Sequence, residues 1–123
     1  MPALEDSLAT KNWPITPYVN VFNEVPEKGF SQFHDAPRYS TGYTTLWNTL
    51  GMMVETHMLK DYKKRVYGTY ELMRSMIEVI EKDYKKIKAV REATSNSFLN
   101  AESYAVNWEG DKSKHSTLNF KGF

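Results

Sequence analysis

The stretch LGMMVETH, residues 50–57, decides the fold predicted for this chain, because an apolar run ends there in two ionisable side chains. Residues 51–56 are apolar at nearly every position, which is typical of a strand covered on both faces by helices. A helical pattern begins shortly afterwards, near Asp61. In open α/β sheets, substrates bind at the carboxyl ends of the strands. The stretch therefore predicts an α/β fold with Glu55 and His57 at the edge where reactive side chains collect.

The composition is that of one ordinary soluble domain or a piece of one, with 123 residues, 41% of them hydrophobic and 25% charged. A net charge of +1 gives no reason to expect nucleic acid or a membrane as partner. The absence of cysteine excludes disulfides, thiolate zinc sites and a cysteine nucleophile. The first residues do not resemble a signal peptide, so an exported parent protein would carry its signal elsewhere and the compartment stays open.

The first 49 residues are interrupted by five prolines and read as irregular. Residues 18–22 predict a short strand, and residues 44–49 a short helix leading into the apolar run. Between them, residues 30–43 form a long segment rich in aromatic and small polar residues. Such a segment is either a binding loop or a surface loop held down by its aromatic side chains.

A long amphipathic helix is predicted from about residue 61 to about residue 93, with Asp61 as its N-cap. We call its apolar residues, which recur at spacings of three and four, the apolar stripe: Tyr62, Val66, Tyr70, Met73, Ile77, Ile80, Tyr84 and Ile87. A stripe of this kind predicts a core face, and a coiled-coil seam is the alternative. Gly68 indicates either a close approach of another backbone or a tolerated glycine.

The C-terminal segment predicts a β-hairpin, with strands at residues 103–108 and 117–120 joined by a turn at 110–112. The strand count is low for a sheet that buries itself.

Glu55 and His57 would point to the same face of a strand, because they are two residues apart. A carboxylate at such a position is a candidate general base. The structural alternative is a salt bridge from this pair to Lys60 or Arg65. No metal ligand is assigned, because the three histidines lie in separate segments. A site made of His34, Glu55 and His57 would need the loop to fold back over the strand.

A family resemblance rests on residues between Phe30 and Ile80, where the matching positions are dense. They are PRYSTGY at 37–43, Leu46, Asn48, Gly51, VETHMLK at 54–60, Tyr62, Arg65, Val66, Thr69 and Tyr70. This pattern resembles the C-terminal part of bacterial zinc carboxypeptidases of the carboxypeptidase A type. The resemblance implies an α/β fold with a central mixed sheet and zinc-dependent hydrolysis of C-terminal peptide bonds, with Glu55 at the position of the catalytic glutamate that deprotonates the attacking water.

The resemblance also implies what this chain lacks, since the family's His-x-x-Glu zinc motif, its later histidine and its substrate-gripping arginine are not found in residues 1–54. We therefore predict an incomplete mixed-sheet carboxypeptidase fold with one buried strand, one long helix and the hairpin. Residues 1–100 would form a C-terminal segment of the catalytic domain, and residues 101–123 would begin a following β unit. Zinc would belong to the parent enzyme, and this chain alone would be inactive and bind none.

Substrate contacts are predicted from Arg38, Tyr43 and His57, because a guanidinium can grip a peptide carboxylate bidentately and a phenol can donate a hydrogen bond. Two alternatives to the enzyme remain. One is a noncatalytic carboxypeptidase-like binding module, and the other is a helical module that self-associates. Self-association of the segment is expected in either case, because the apolar stripe must be buried somewhere.

Overall fold

The computed structural model describes residues 2–21, 24–117 and 119. Four helical elements follow one another: α1 (Pro2–Thr10), a 3-10 turn (Pro26–Lys28), α2 (Ser40–Thr45) and α3 (Tyr62–Leu99). Within the described ranges, β pairing is limited to one isolated antiparallel bridge between Asn20 and Ser31. The architecture is therefore one long helix with short helices and irregular segments attached to it.

The predicted α/β fold with a mixed sheet is wrong, because the described part of the chain is helical and contains no sheet. The predicted buried strand at residues 51–56 is irregular, and the neighbouring Leu50 is 78% exposed. A strand needs neighbouring strands to satisfy its backbone and cover its side chains, and the described part of the chain brings none to residues 51–56.

The strand predicted at residues 18–22 and the predicted C-terminal hairpin fail for the same reason. The strand at residues 18–22 is reduced to the bridge at Asn20, and its last residue, Phe22, lies outside the described residues. Residues 103–117 contain no strand, so the β-hairpin is not formed. Leu118 and Phe120, in the second half of that hairpin, also lie outside the described residues.

The core is formed where α1 packs on the N-terminal half of α3. Leu4 and Leu8 of α1 bury themselves against Leu72 of α3. Trp13, Ile15 and Met76 surround this cluster. A Cβ added to Gly68 would lie 3.2 Å from the Trp13 ring, so the glycine lets an indole, rather than another backbone, approach the helix.

A Schellman motif ends α1 and turns the chain back toward this core. Asn12 adopts a left-handed conformation with φ of 60°, which asparagine tolerates better than most residues. The Trp13 amide donates to the Leu8 carbonyl at 2.9 Å, and the Asn12 amide donates to the Ala9 carbonyl at 3.0 Å. Trp13 is thereby placed beside the core cluster.

Lys11 adds a polar connection between α1 and α3. Its ammonium donates to the hydroxyl of the fully buried Ser75 at 2.8 Å and to the Glu78 carboxylate at 2.5 Å. The hydrogen bond from Lys11 is the main reason that the pKa of Glu78 is lowered. The buried hydroxyl thus has a partner, as buried polar groups generally do.

Helix α3 confirms the predicted amphipathic helix and extends it to Leu99. Asp61 is the N-cap as predicted, with its carboxylate accepting from the Lys64 amide at 2.9 Å, and this hydrogen bond is the main cause of its lowered pKa. The proposed segment boundary at residue 100 remains a prediction, although the helix ends beside it.

The face of α3 that is buried differs from the predicted one. Gly68, Leu72 and Ser75 face α1, whereas the apolar stripe is largely exposed, with Ile77 at 66%. At 100° per residue, the centre of the stripe lies roughly 120° around the helix from the buried face. The apolar stripe is therefore not a core face of this structure.

Candidate functional site

Glu55, the predicted general base, lies in the irregular segment between α2 and α3 and is exposed. The Tyr18 phenol lies beside the Glu55 carboxylate. The pKa of Tyr18 is raised, chiefly by hydrogen bonding to Glu55 and by the negative charge of Glu55, then by burial and, more weakly, by the charge of Asp35. The N-terminal segment and the VETH segment therefore meet at this pair.

The aromatic ring of Tyr18 is held by a second contact. It packs edge-on against Phe33 with ring centroids 6.0 Å apart. The backbone around it is tied by the bridge in which the Asn20 amide donates to the Ser31 carbonyl at 3.0 Å and the Ser31 amide donates back at 2.8 Å. The bridge and the ring contact join the Tyr18 segment to the loop at residues 30–43.

His57 organises the turn that leads into α3. Its Nδ1 accepts from the Leu59 amide at 3.2 Å, and its carbonyl accepts from the Lys60 amide at 3.0 Å. The salt bridge considered between Glu55 and Lys60 or Arg65 is not formed in the described structure, and the Arg65 guanidinium lies 5.9 Å from the Tyr62 ring centroid instead. The Nδ1 atom of His57 is thus occupied by a hydrogen bond from the backbone.

Residues 35–42 form a tight turn that begins α2. The Asp35 carboxylate accepts from the Thr41 hydroxyl, and the Tyr39 amide donates to the Ala36 carbonyl at 2.9 Å. The backbone of Ala36 passes so close to Gly42 that a Cβ there would overlap the Ala36 carbonyl. The glycine of the PRYSTGY segment is required for this close approach.

The two predicted substrate-binding residues in this segment contact chain neighbours. The Arg38 guanidinium stacks 4.8 Å from the Tyr39 ring centroid and donates to its hydroxyl at 2.8 Å. The Tyr43 ring packs against Trp47 at 6.1 Å. In the described part of the chain, neither Arg38 nor Tyr43 forms a hydrogen bond or ion pair with Glu55.

The resemblance implies zinc, and the described residues do not supply a ligand set for it. Nowhere in residues 2–21, 24–117 and 119 do three side chains of the metal-binding types gather around one point. His34, for example, packs against the Trp108 ring at 5.5 Å.

Open grooves run along the C-terminal half of α3. One, of about 690 Å³, includes Tyr84, Ile87 and Arg91 in its walls. A second, of about 430 Å³, lies between α3 and the turn that follows α2. No described helix is both long and apolar enough to cross a membrane.

No known protein family, curated protein or solved structure matches this chain. The candidate site is therefore defined by its own residues: the Glu55 carboxylate, the Tyr18 phenol and the neighbouring Asp35.

Tyr18 is the part of this site that sequence reasoning missed. It lies far from Glu55 along the chain, and the pattern around it predicted only a strand. The one available signal was the set of aromatic residues at 30–43, which indicated a loop that packs on other aromatic side chains.

Proposed function

We propose that this chain supplies the general-base segment of a zinc-dependent metallocarboxypeptidase, a peptide hydrolase that removes residues from the C-terminus of peptides. The observation that carries the proposal is the exposed carboxylate of Glu55, which lies within the VETHMLK segment that resembles such enzymes. The substrate would be a peptide with a free C-terminal carboxylate.

Glu55 has the properties that a base of this kind requires. A general base must reach the water or substrate from which it takes a proton, and Glu55 is open to solvent. The Tyr18 phenol lies beside this carboxylate, whose oxygens can accept a proton. Glu55 would take a proton from the water that attacks the peptide carbonyl and pass it to the leaving amine.

The apolar run before Glu55 supports the view that other parts of a larger protein complete the site. Leu50, Met53 and Val54 are exposed, although residues of this type normally lie under cover. The zinc ligands and the arginine that grips the substrate carboxylate would come from those other parts. The 123-residue chain alone is expected to show no peptidase activity.

The test begins with the coding region upstream of Met1. An in-frame extension with a His-x-x-Glu motif and a later histidine is expected, and the longer protein should release C-terminal residues from N-acylated dipeptides. Glu55→Gln in that longer protein should lower kcat by roughly 10²- to 10⁴-fold, the range that general-base catalysis contributes. Glu102→Gln and Glu109→Gln, at exposed positions outside the VETH segment, are the matched controls.

An upstream region without zinc ligands, or a Glu55→Gln enzyme with full activity, would overturn the proposal. The chain would then be better described as a noncatalytic binding module or a helical self-association module. The exposed apolar stripe favours the latter.

A further inference from the structure

The apolar stripe of α3 is an unpartnered surface with a regular repeat. From Val66 to Ile87 its spacings are 4, 3, 4, 3, 4 and 3, which is the heptad pattern of a coiled-coil seam. The three residues at its centre, Met73, Ile77 and Ile80, are 53%, 66% and 48% exposed. Helix α1 leaves this seam open, because it packs on another face of α3. The turn after α2 contacts the seam's face at Arg91 and Ser95, C-terminal to Ile87, and leaves the centre of the seam open.

We propose that this surface pairs with the same surface of a second copy of the chain, as an antiparallel two-stranded coiled coil. Ile77 of one copy would lie opposite Ile80 of the second copy, and the seam would run outward from there in both directions. This inference does not depend on the proposed enzymatic activity, since it concerns a different face and different residues.

Charge complementarity at the centre of the seam favours the antiparallel orientation. In this register, Arg74 lies beside Glu81 of the second copy, and the twofold symmetry makes the same pair again on the other side. Arg74 already forms an ion pair with Glu78 at 3.2 Å, whereas Glu81 forms none in the described part of the chain. A parallel pair would instead place Arg74 beside Thr69 and Glu81 beside Met76, so it would compensate charges toward the C-terminal end of the seam, where Asp83 would lie beside Lys88, and not at its centre.

The area available is sufficient for a specific but modest dimer. With its members about half exposed, the stripe offers roughly 600 Å² per copy, or roughly 1,200 Å² for the pair, at the lower end of the range for specific interfaces. A dissociation constant of the order of micromolar is expected for such an interface.

Sedimentation velocity of the purified 123-residue chain tests the pairing directly. A dimer is expected at about 100 μM protein, dissociating on dilution toward about 1 μM. Ile77→Glu should shift it to monomer, and Val106→Glu, at a position 93% exposed outside the stripe, should leave the dimer intact. A compact monomer at the highest concentration, or an Ile77→Glu variant that still dimerises, would overturn the proposal.

A charge exchange provides a variant that is not expected to disturb folding. Arg74→Glu and Glu81→Arg should each weaken the dimer several-fold, because each places like charges side by side. The double variant should recover most of the lost affinity. Failure of the double variant to recover affinity would refute the antiparallel register.

Spin labels measure the orientation, and the absence of cysteine in the chain allows a single label to be introduced without other changes. A label at Lys64→Cys should lie roughly 40 Å from its counterpart in an antiparallel dimer, given 1.5 Å of rise per residue. A parallel dimer would bring the two helices' labels to about 10 Å. The short distance would refute the proposed orientation.

Discussion

Asn48 and Arg91 hold each other through two reciprocal hydrogen bonds. The Asn48 side-chain amide donates to the Arg91 carbonyl at 2.8 Å, and Arg91 Nε donates to the Asn48 carbonyl at 2.7 Å. The Asn48 amide group also donates to the Ser95 hydroxyl at 3.0 Å. These contacts fasten the turn after α2 to the C-terminal half of α3.

Two properties of Asn48 can be separated by substitution. The residue has φ of 49° at the end of α2, where the Thr49 amide donates to the Thr44 carbonyl in a second Schellman motif. Asn48→Gly keeps the backbone conformation and loses the side-chain bonds, so it should cost about 1 kcal/mol in urea unfolding. Asn48→Ala should cost about 1 kcal/mol more, because alanine strains the left-handed backbone. Equal stabilities for the two variants would show that the backbone conformation contributes nothing.

The Lys11–Glu78 pair predicts a pH dependence of stability. The pKa of Glu78 is lowered in the folded chain, mainly by the hydrogen bond from Lys11, so the pair stabilises the fold above the usual glutamate pKa of about 4.3. That contribution is lost as the pH falls through the lowered folded-state pKa. Urea unfolding of Lys11→Met should therefore differ from the wild type at about pH 7, and the difference should shrink as the pH falls through the lowered pKa of Glu78, leaving the pH-independent part that comes from the lost hydrogen bond to Ser75.

Lys28→Met is the control for this experiment. Lys28 forms an ion pair with Glu24 at 2.7 Å in which both side chains are more than half exposed, and such pairs contribute little. A stability difference between wild type and Lys11→Met that stays constant with pH would contradict the assignment to Glu78.

Gly42 should be the least replaceable glycine described here. A Cβ at this position would collide with the Ala36 and Asp35 carbonyls, which are backbone atoms and cannot rotate away. Gly42→Ala should therefore destabilise the turn before α2 by about 1–3 kcal/mol, the usual cost of overpacking. Gly110→Ala is the matched control, because the nearest atom lies 3.9 Å from its added Cβ. Circular dichroism during urea unfolding compares the two variants, and equal midpoints would contradict the prediction.

The contact between Tyr18 and Glu55 can be observed by titration. Hydrogen bonding to Glu55 and the negative charge of Glu55 raise the pKa of Tyr18. Glu55→Gln should therefore lower that pKa toward the usual tyrosine value. Ultraviolet absorbance of phenolate follows the change, and subtraction of Tyr18→Phe isolates this residue from the other tyrosines. Identical Tyr18 titrations in the wild type and in Glu55→Gln would show that the pair is not formed in solution.

The helices illustrate what sequence reasoning could and could not reach. The periodicity from Tyr62 onward and the Asp61 cap predicted α3, because these signals are local and act within a few residues. Helix α1 was missed, although Pro2 at its first position and the Leu4 and Leu8 pair are typical of a short amphipathic helix. The five prolines of the first 49 residues led to a prediction of irregular structure there instead.

The predicted strands failed because pairing is a property of partners and not of the strand itself. The apolar run at residues 50–54 has strand-like composition. Whether it forms a strand depends on the chains or segments that lie beside it. Burial of the apolar stripe failed for a related reason, since periodicity reveals that a helix has an apolar face without revealing what covers it. The proximity of Tyr18 to Glu55 could not be predicted, because the sequence around either residue does not indicate the other as its neighbour.

The two attachments to α3 divide that single helix into regions of different stability. The α1 contacts act on residues near Leu72 and Ser75, whereas the Asn48 contacts act on residues near Arg91 and Ser95. Either attachment can open while the other holds, so amide hydrogen exchange along this continuous helix should show two protected zones separated by faster-exchanging amides. Although α3 is one continuous helix, its two halves would then open as two separate cooperative units.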